Sequence, residues 1–136
     1  MRNLIIDTRP LVALLDRSEQ KHQPCADFLE GFSGRLLTTE AVVTEATYLL
    51  QKARGGPSAC LKFVESEAVA VVPNSREGFE RCRLVMEKYD DIPMDYADAT
   101  LVVLAEDVGT QEIFTLDRRG FSSYRLQDGK AFTIYP

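Results

Sequence analysis

Five short apolar runs, Leu4–Ile6, Arg35–Thr38, Val69–Val72, Glu112–Thr115 and Ala131–Ile134, alternate with longer segments whose apolar residues recur every three or four positions. This alternation constrains the fold more than any other feature. Strand–helix–strand units close into parallel sheets with helices packed on both faces. The expectation is a three-layer α/β/α sandwich around a mostly parallel five-stranded sheet. At 136 residues the chain is expected to form one domain, residues 1–136, burying roughly two-thirds of its unfolded surface in one core.

Local signals divide the helical stretches. Thr8 and Pro10 supply an N-cap type residue and an early-helix proline, and Leu11, Val12, Leu14 and Leu15 give the first helix its apolar face. A second helix is expected from about Lys21 to Gly31. Val42, Val43, Ala46, Leu49 and Leu50 mark a third, up to Gly55-Gly56-Pro57, and a fourth spans about Pro57 to Glu67. Ser75 reads as the N-cap of a helix running to about Tyr89, and Asp95–Val108 as a helix closed by Gly109. Arg118-Arg119-Gly120 reads as a polar turn.

Several function classes are excluded. An acid at position seven interrupts the first apolar run too early for a secretory leader, and no other run reaches the length needed to cross a bilayer, so a cytoplasmic protein with no membrane partner is expected. Cys25, Cys60 and Cys82 are odd in number and widely spaced, which suits reduced thiols rather than a disulfide framework or a zinc site. One histidine, His22, in a polar run, and the lack of a Gly-rich phosphate loop argue against Ser/His triads and P-loop chemistry. Lys+Arg of 16 against Asp+Glu of 21 gives a net charge of −5, which repels a nucleic-acid backbone at long range. A cation bound among the acids reverses that sign locally.

The acids carry the chemistry. Asp7 and Asp117 each follow a β-type run, Asp98 lies in the first turn of its helix, and Glu45 lies about two turns into another. In an open parallel sheet, strand ends and helix starts meet at the carboxyl edge, where ligands bind. Asp95 and Asp98, three apart, point about 60° from each other on a helix and share a face, so Asp95 is a possible fifth member. Gathered carboxylates repel one another, and a hard divalent cation, Mg2+ or Mn2+, offsets that cost. Such ions activate water and stabilise a departing oxygen, which makes phosphodiester hydrolysis the natural reaction. Each acid also has a plainer reading: helix N-cap for Asp7, dipole complement for Asp95 and Asp98, turn residue for Asp117.

In their sequence contexts these residues resemble the PIN-domain ribonucleases, in particular the VapC-type toxins of toxin–antitoxin pairs. Ile6-Asp7-Thr8 before Leu11-Val12-Ala13-Leu14-Leu15 is similar to the family's first motif, and Val43-Thr44-Glu45-Ala46 to its second. Asp95-Tyr96-Ala97-Asp98-Ala99-Thr100-Leu101 is similar to the third. Ile113-Phe114-Thr115-Leu116-Asp117-Arg118-Arg119-Gly120-Phe121 resembles the fourth, with a characteristic Thr two before the acid. The resemblance covers nearly the whole chain and implies a PIN-like fold. It implies metal-binding, catalytic roles for Asp7, Glu45, Asp98 and Asp117, with Asp95 as a further metal ligand. Thr115, and with it Thr8, would orient the acids or a phosphate.

Arg9 departs from the small polar residue usual two after the first acid and puts a cation at the rim, where it either contacts RNA or pairs with an acid. Arg118, beside the last motif, is a candidate phosphate contact. The implied activity is that of a Mg2+- or Mn2+-dependent endoribonuclease using metal-activated water. Its implied partners are an RNA substrate, a second copy in a homodimer, and a small antitoxin whose tail enters the acidic groove. The alternative is a PIN-type module that binds RNA or protein without cutting. A phosphotransfer receiver or phosphatase would need acids and a lysine in other places.

Overall fold

The computed structural model describes residues 1–136. Its elements follow in the order β1 (Asn3–Ile6), α1 (Thr8–Leu15), α2 (His22–Gly31), β2 (Arg35–Thr39) and α3 (Glu40–Leu49), with a 3-10 turn at Leu50–Lys52. Then come α4 (Gly56–Glu65), β3 (Ala70–Val72), α5 (Arg76–Lys88), α6 (Tyr96–Val108), β4 (Glu112–Phe114), α7 (Arg118–Phe121) and β5 (Thr133–Tyr135).

The five strands form one sheet in the order β3-β2-β1-β4-β5, and every neighbouring pair is parallel. The expected sheet is therefore present, with its strands wholly parallel. The chain winds outward from β1 through β2 to β3, then returns to lay β4 on the other side of β1. Right-handed crossovers put the helices of the first half on one face and those of the return on the other. The packing agrees, because α1, α2, α3 and α4 contact one another while α5 packs on α6. Strand order reverses beside β1, and the carboxyl edge there is where a ligand is expected.

Central strands covered on both faces need apolar side chains throughout. Leu4, Ile5 and Ile6 of β1 and Ile113 and Phe114 of β4 are fully buried, as are Leu101, Val102 and Ala105 of α6. Buried hydroxyls next to the sheet are bonded: Thr38 Oγ1 donates to the Ile6 carbonyl (2.8 Å), and the hydroxyls of Thr39 and Thr100 meet at 2.8 Å. The three cysteines are buried and unpaired.

Most local stop and start signals act as read, but the N-cap of α1 is Asp7 rather than Thr8, because the Asp7 carboxylate accepts from Thr8 N and Thr8 is already helical. The Ser75 side chain accepts from Gly78 N at the start of α5, and Gly109, at φ 72°, ends α6 in the left-handed region. Two segments differ. Arg118–Phe121 is a one-turn helix rather than a polar turn, because the Asp117 carboxylate caps it by accepting from Gly120 N. The last strand is Thr133–Tyr135, later than the expected Ala131–Ile134, since Ala131 is taken by an isolated antiparallel bridge to Arg125. No helix is long and apolar enough to cross a membrane.

Candidate active site

At the carboxyl edge of β1 and β4 lies an open cavity of about 460 Å3 lined by Asp7, Thr8, Arg9, Glu45, Tyr48, Leu49, Asp95, Asp98 and Asp117. Five carboxylates from four separate parts of the chain thus face one volume. Asp7 ends β1 as the N-cap of α1, and its Oδ1 accepts from Thr8 N at 2.7 Å. Asp95 and Asp98 form a capping box at the start of α6: Asp98 N donates to Asp95 Oδ1 (2.8 Å) and Asp95 N to Asp98 Oδ2 (3.1 Å). Asp117 caps α7. The plainer reading of Asp7 as a cap is therefore correct locally, Asp95, Asp98 and Asp117 take capping roles as well in place of the plain dipole-complement and turn readings, and the fold additionally aims all four at a shared space.

Two hydroxyls tie the constellation together. Thr115 Oγ1 donates to Asp7 Oδ2 (2.7 Å) and accepts from Asp117 N (3.0 Å), joining the first and last acids through one buried atom. Thr8 Oγ1 donates to Glu45 Oε1 (2.6 Å), fixing the acid on α3 to the start of α1. Replacing Thr115 by Val, which keeps the shape and removes the hydroxyl, should cost about 1–3 kcal/mol of stability. It should also push the Asp7 carboxyl further up, because the lost bond favours the charged form. Denaturant unfolding and carboxyl titration by NMR check both.

Burial and mutual repulsion dominate the electrostatics. Asp7 is 5% exposed, and burial raises its pKa to about 6 against the opposing bonds from Thr115 and Thr8 N, with Asp117 and Glu45 adding repulsion. Burial, then repulsion from Asp95 and Asp7, raises Asp98 to about 8. Glu45 is also raised, first by burial; the Thr8 hydroxyl opposes the shift and the facing Asp95 adds to it. None of the five acids is ion-paired, although ion pairs form elsewhere on the surface. Arg9 stands exposed at the cavity rim without an ion-pair partner.

The donor set is all oxygen, as a hard divalent cation requires. No three acidic, histidine or cysteine side chains are disposed to hold one ion directly, so the set fits a cation that takes one or two carboxylates and completes its shell with water, the habit of Mg2+. A backbone detail favours the same use. A Cβ at Gly120 would stand 2.5 Å from Asp117 Oδ2 and 3.0 Å from the Tyr124 hydroxyl, so the Asp117 carboxylate occupies space that only glycine leaves open.

Of the residues singled out in the sequence, Arg118 alone turns away from this cavity: its guanidinium donates to the Pro136 carbonyl at 2.9 Å. Thr115 lies beneath the cavity rather than on its surface. Two residues were not singled out. Tyr48 lines the cavity beside Glu45; its sequence signal is an aromatic three after an acid, off the apolar stripe of α3. Tyr124 is buried, donates to the Pro93 carbonyl (2.6 Å), and has its phenol raised by burial and by Asp98 and Asp117; no sequence pattern marks it.

The sequence profile of the PIN domain matches residues 4–126. The match covers most of the chain, which belongs to the PIN-domain family. Within the family it is a VapC-type member. Ribonuclease VapC26 of Mycobacterium tuberculosis is 33% identical over 135 residues, 98% of this chain and 100% of that protein. The fold is similar to that of Mycobacterium tuberculosis VapC20, a sarcin–ricin loop cleaving toxin, with a TM-score of 0.75 at 19% identity over 85% of this chain and 90% of that one. It is likewise similar to VapBC2 from Rickettsia felis bound to a DNA fragment from their promoter, with a TM-score of 0.68 at 10% identity over 99% and 100% of the two chains.

Proposed function

We propose that the chain is a Mg2+- or Mn2+-dependent endoribonuclease, the toxin of a VapBC-type pair. The observation that carries this reading is the convergence of Asp7, Glu45, Asp95, Asp98 and Asp117 on one cavity with no cation paired to any of them. Whole-length similarity to a protein named as a ribonuclease supports the choice of RNA.

Asp7, Glu45, Asp95, Asp98 and Asp117 would hold the cation, one or two of them directly and the others through water. When bound, such an ion supplies a nucleophile at neutral pH and offsets the negative charge that develops as the phosphodiester breaks. The chain's own groups prepare the site. Thr115 fixes the Asp7 carboxylate and the Asp117 backbone, and Thr8 fixes Glu45. Without the cation, Asp98 holds a proton at neutral pH, which cation binding must displace. Arg9 is free to meet a substrate phosphate, while Arg118 is engaged at the C-terminus.

A small antitoxin that fills the acidic cavity, and a homodimer, complete the proposed assembly; the similarity to the VapBC2 structure supports the antitoxin. The test is cleavage of single-stranded RNA by purified protein. Turnover should require Mg2+ or Mn2+, stop on chelation, and vanish in Asp98→Asn. Undiminished cleavage in EDTA or by that variant sinks the metal mechanism.

A further inference from the structure

Resting on the RNA-cleaving reading above, we infer that Tyr48 is a stacking platform for one unpaired base beside the scissile phosphate, with Arg9 as the adjoining phosphate contact. Tyr48 is 70% exposed yet lines the same cavity as Glu45 and Asp98. An exposed aromatic needs no explanation by itself. Its position singles it out. On α3 the buried residues are Val42 and Ala46, followed by Leu50 at the helix end, a spacing of four that faces the core. Tyr48 stands opposite that stripe, three residues after Glu45 and on the same helix face.

The ring is also unpartnered. The other large exposed aromatics, Phe79 and Tyr96, stack on each other at 6.0 Å between α5 and α6, whereas Tyr48 has no aromatic neighbour. Arg9 is the matching cation: exposed, on the cavity rim, and not ion-paired. Together they give the cavity that holds the carboxylates an exposed aromatic ring and an unpaired guanidinium.

A net charge of −5 leaves the chain little long-range attraction for a polyanion, even where a cation reverses the sign within the cavity. Stacking is a short-range term independent of that charge, and every base has a face to offer. It requires the base to be splayed out, so a paired base in an A-form helix cannot use it. The platform therefore takes an unpaired nucleotide next to the cleaved bond.

The test compares wild type, Tyr48→Ala and Tyr48→Phe in steady-state cleavage of a single-stranded oligoribonucleotide with Mn2+, together with anisotropy binding of the same labelled oligonucleotide in an Asp98→Asn background. Tyr48→Ala should raise both KM and Kd about 10-fold or more with a smaller change in kcat, and Tyr48→Phe should restore both. Arg9→Gln should lower the slope of log Kd against log salt by about 0.7. Equal KM and Kd in Tyr48→Ala, equally fast cutting of a fully paired duplex, or a change in self-association with RNA binding intact would each overturn the inference. Wild type that cuts RNA alongside an unaffected Tyr48→Ala removes only the stacking role, whereas wild type that cuts no RNA with Mn2+ removes the parent reading too.

Discussion

Replacing Asp7 by Asn is expected to lower metal-dependent RNA cleavage by about a thousandfold or more while making the metal-free protein more stable. The two effects have one cause. Asp7 is 5% exposed and carries a charge that burial, Asp117 and Glu45 all oppose. Asparagine is as good an N-cap as aspartate, so the bond from Thr8 N survives, and Oδ1 stays where it is. The cation then loses a buried anionic ligand, and removing one charged group from a preorganised site costs on the order of 10²–10³ in rate or more. In the metal-free protein the same change relieves repulsion and the cost of burying a charge, a gain reduced because the amide Nδ2 cannot accept the hydrogen bond that Thr115 donates to Asp7 Oδ2. Cleavage assays and thermal unfolding in EDTA read the two directions independently, and a variant that is less active only because it is less folded would contradict this account.

The metal-free protein should also lose stability as pH rises, and cations should restore it. Asp7 and Asp98 titrate at about 6 and about 8 in the folded chain against an ordinary 3.8. Between pH 4 and 8 the folded state therefore holds protons that the unfolded chain has released, and stability falls with rising pH. The full contribution is present below about pH 4 and is lost as pH passes through the two folded values. Above pH 8 both carboxylates are charged and repelling, so cation binding has its largest stabilising effect there. At a cation concentration about a hundred times its dissociation constant, the gain is roughly 2.7 kcal/mol, or on the order of 10 °C in Tm for a chain of this size. At pH 5, competition with protons shrinks it. Thermal scans with and without Mn2+ at pH 5 and pH 8 check the prediction, and Asp98→Asn should flatten the metal-free profile. An equal Tm shift at both pH values would mean that the cation binds elsewhere.

Much of this site can be read along the chain, for a definable reason. Helix caps depend on residues within four positions, so Ser75 and Gly109 are legible from spacing and both act as caps, whereas the capping box of Asp95 and Asp98 was read only as a pair sharing one helix face. The motif around Asp117 is legible because Thr115 lies two residues before it and bonds its backbone. The one-turn helix at Arg118–Phe121 was not, because Arg118-Arg119-Gly120 also suits a polar turn and the capping bond from Gly120 to Asp117 decides between them. Arg118 was likewise misleading as a groove residue. Its neighbour in sequence is an acid that lines the cavity, but its neighbour in space is Pro136.

By itself the sequence determined the alternation of strands and helices and the ends of most elements, which follow from short-range periodicity and capping, and it marked the acids of the proposed site through their resemblance to the PIN motifs. Only the tertiary structure decided how those acids meet. Thr115 and Asp7 are 108 positions apart and share a 2.7 Å hydrogen bond because β4 returns to lie beside β1 rather than beyond β3. The raised carboxyl groups of Asp7 and Asp98 and the placing of Tyr48 on the cavity rim follow from that return. Burial and charge repulsion depend on what surrounds a group in space, which strand order sets and local sequence does not.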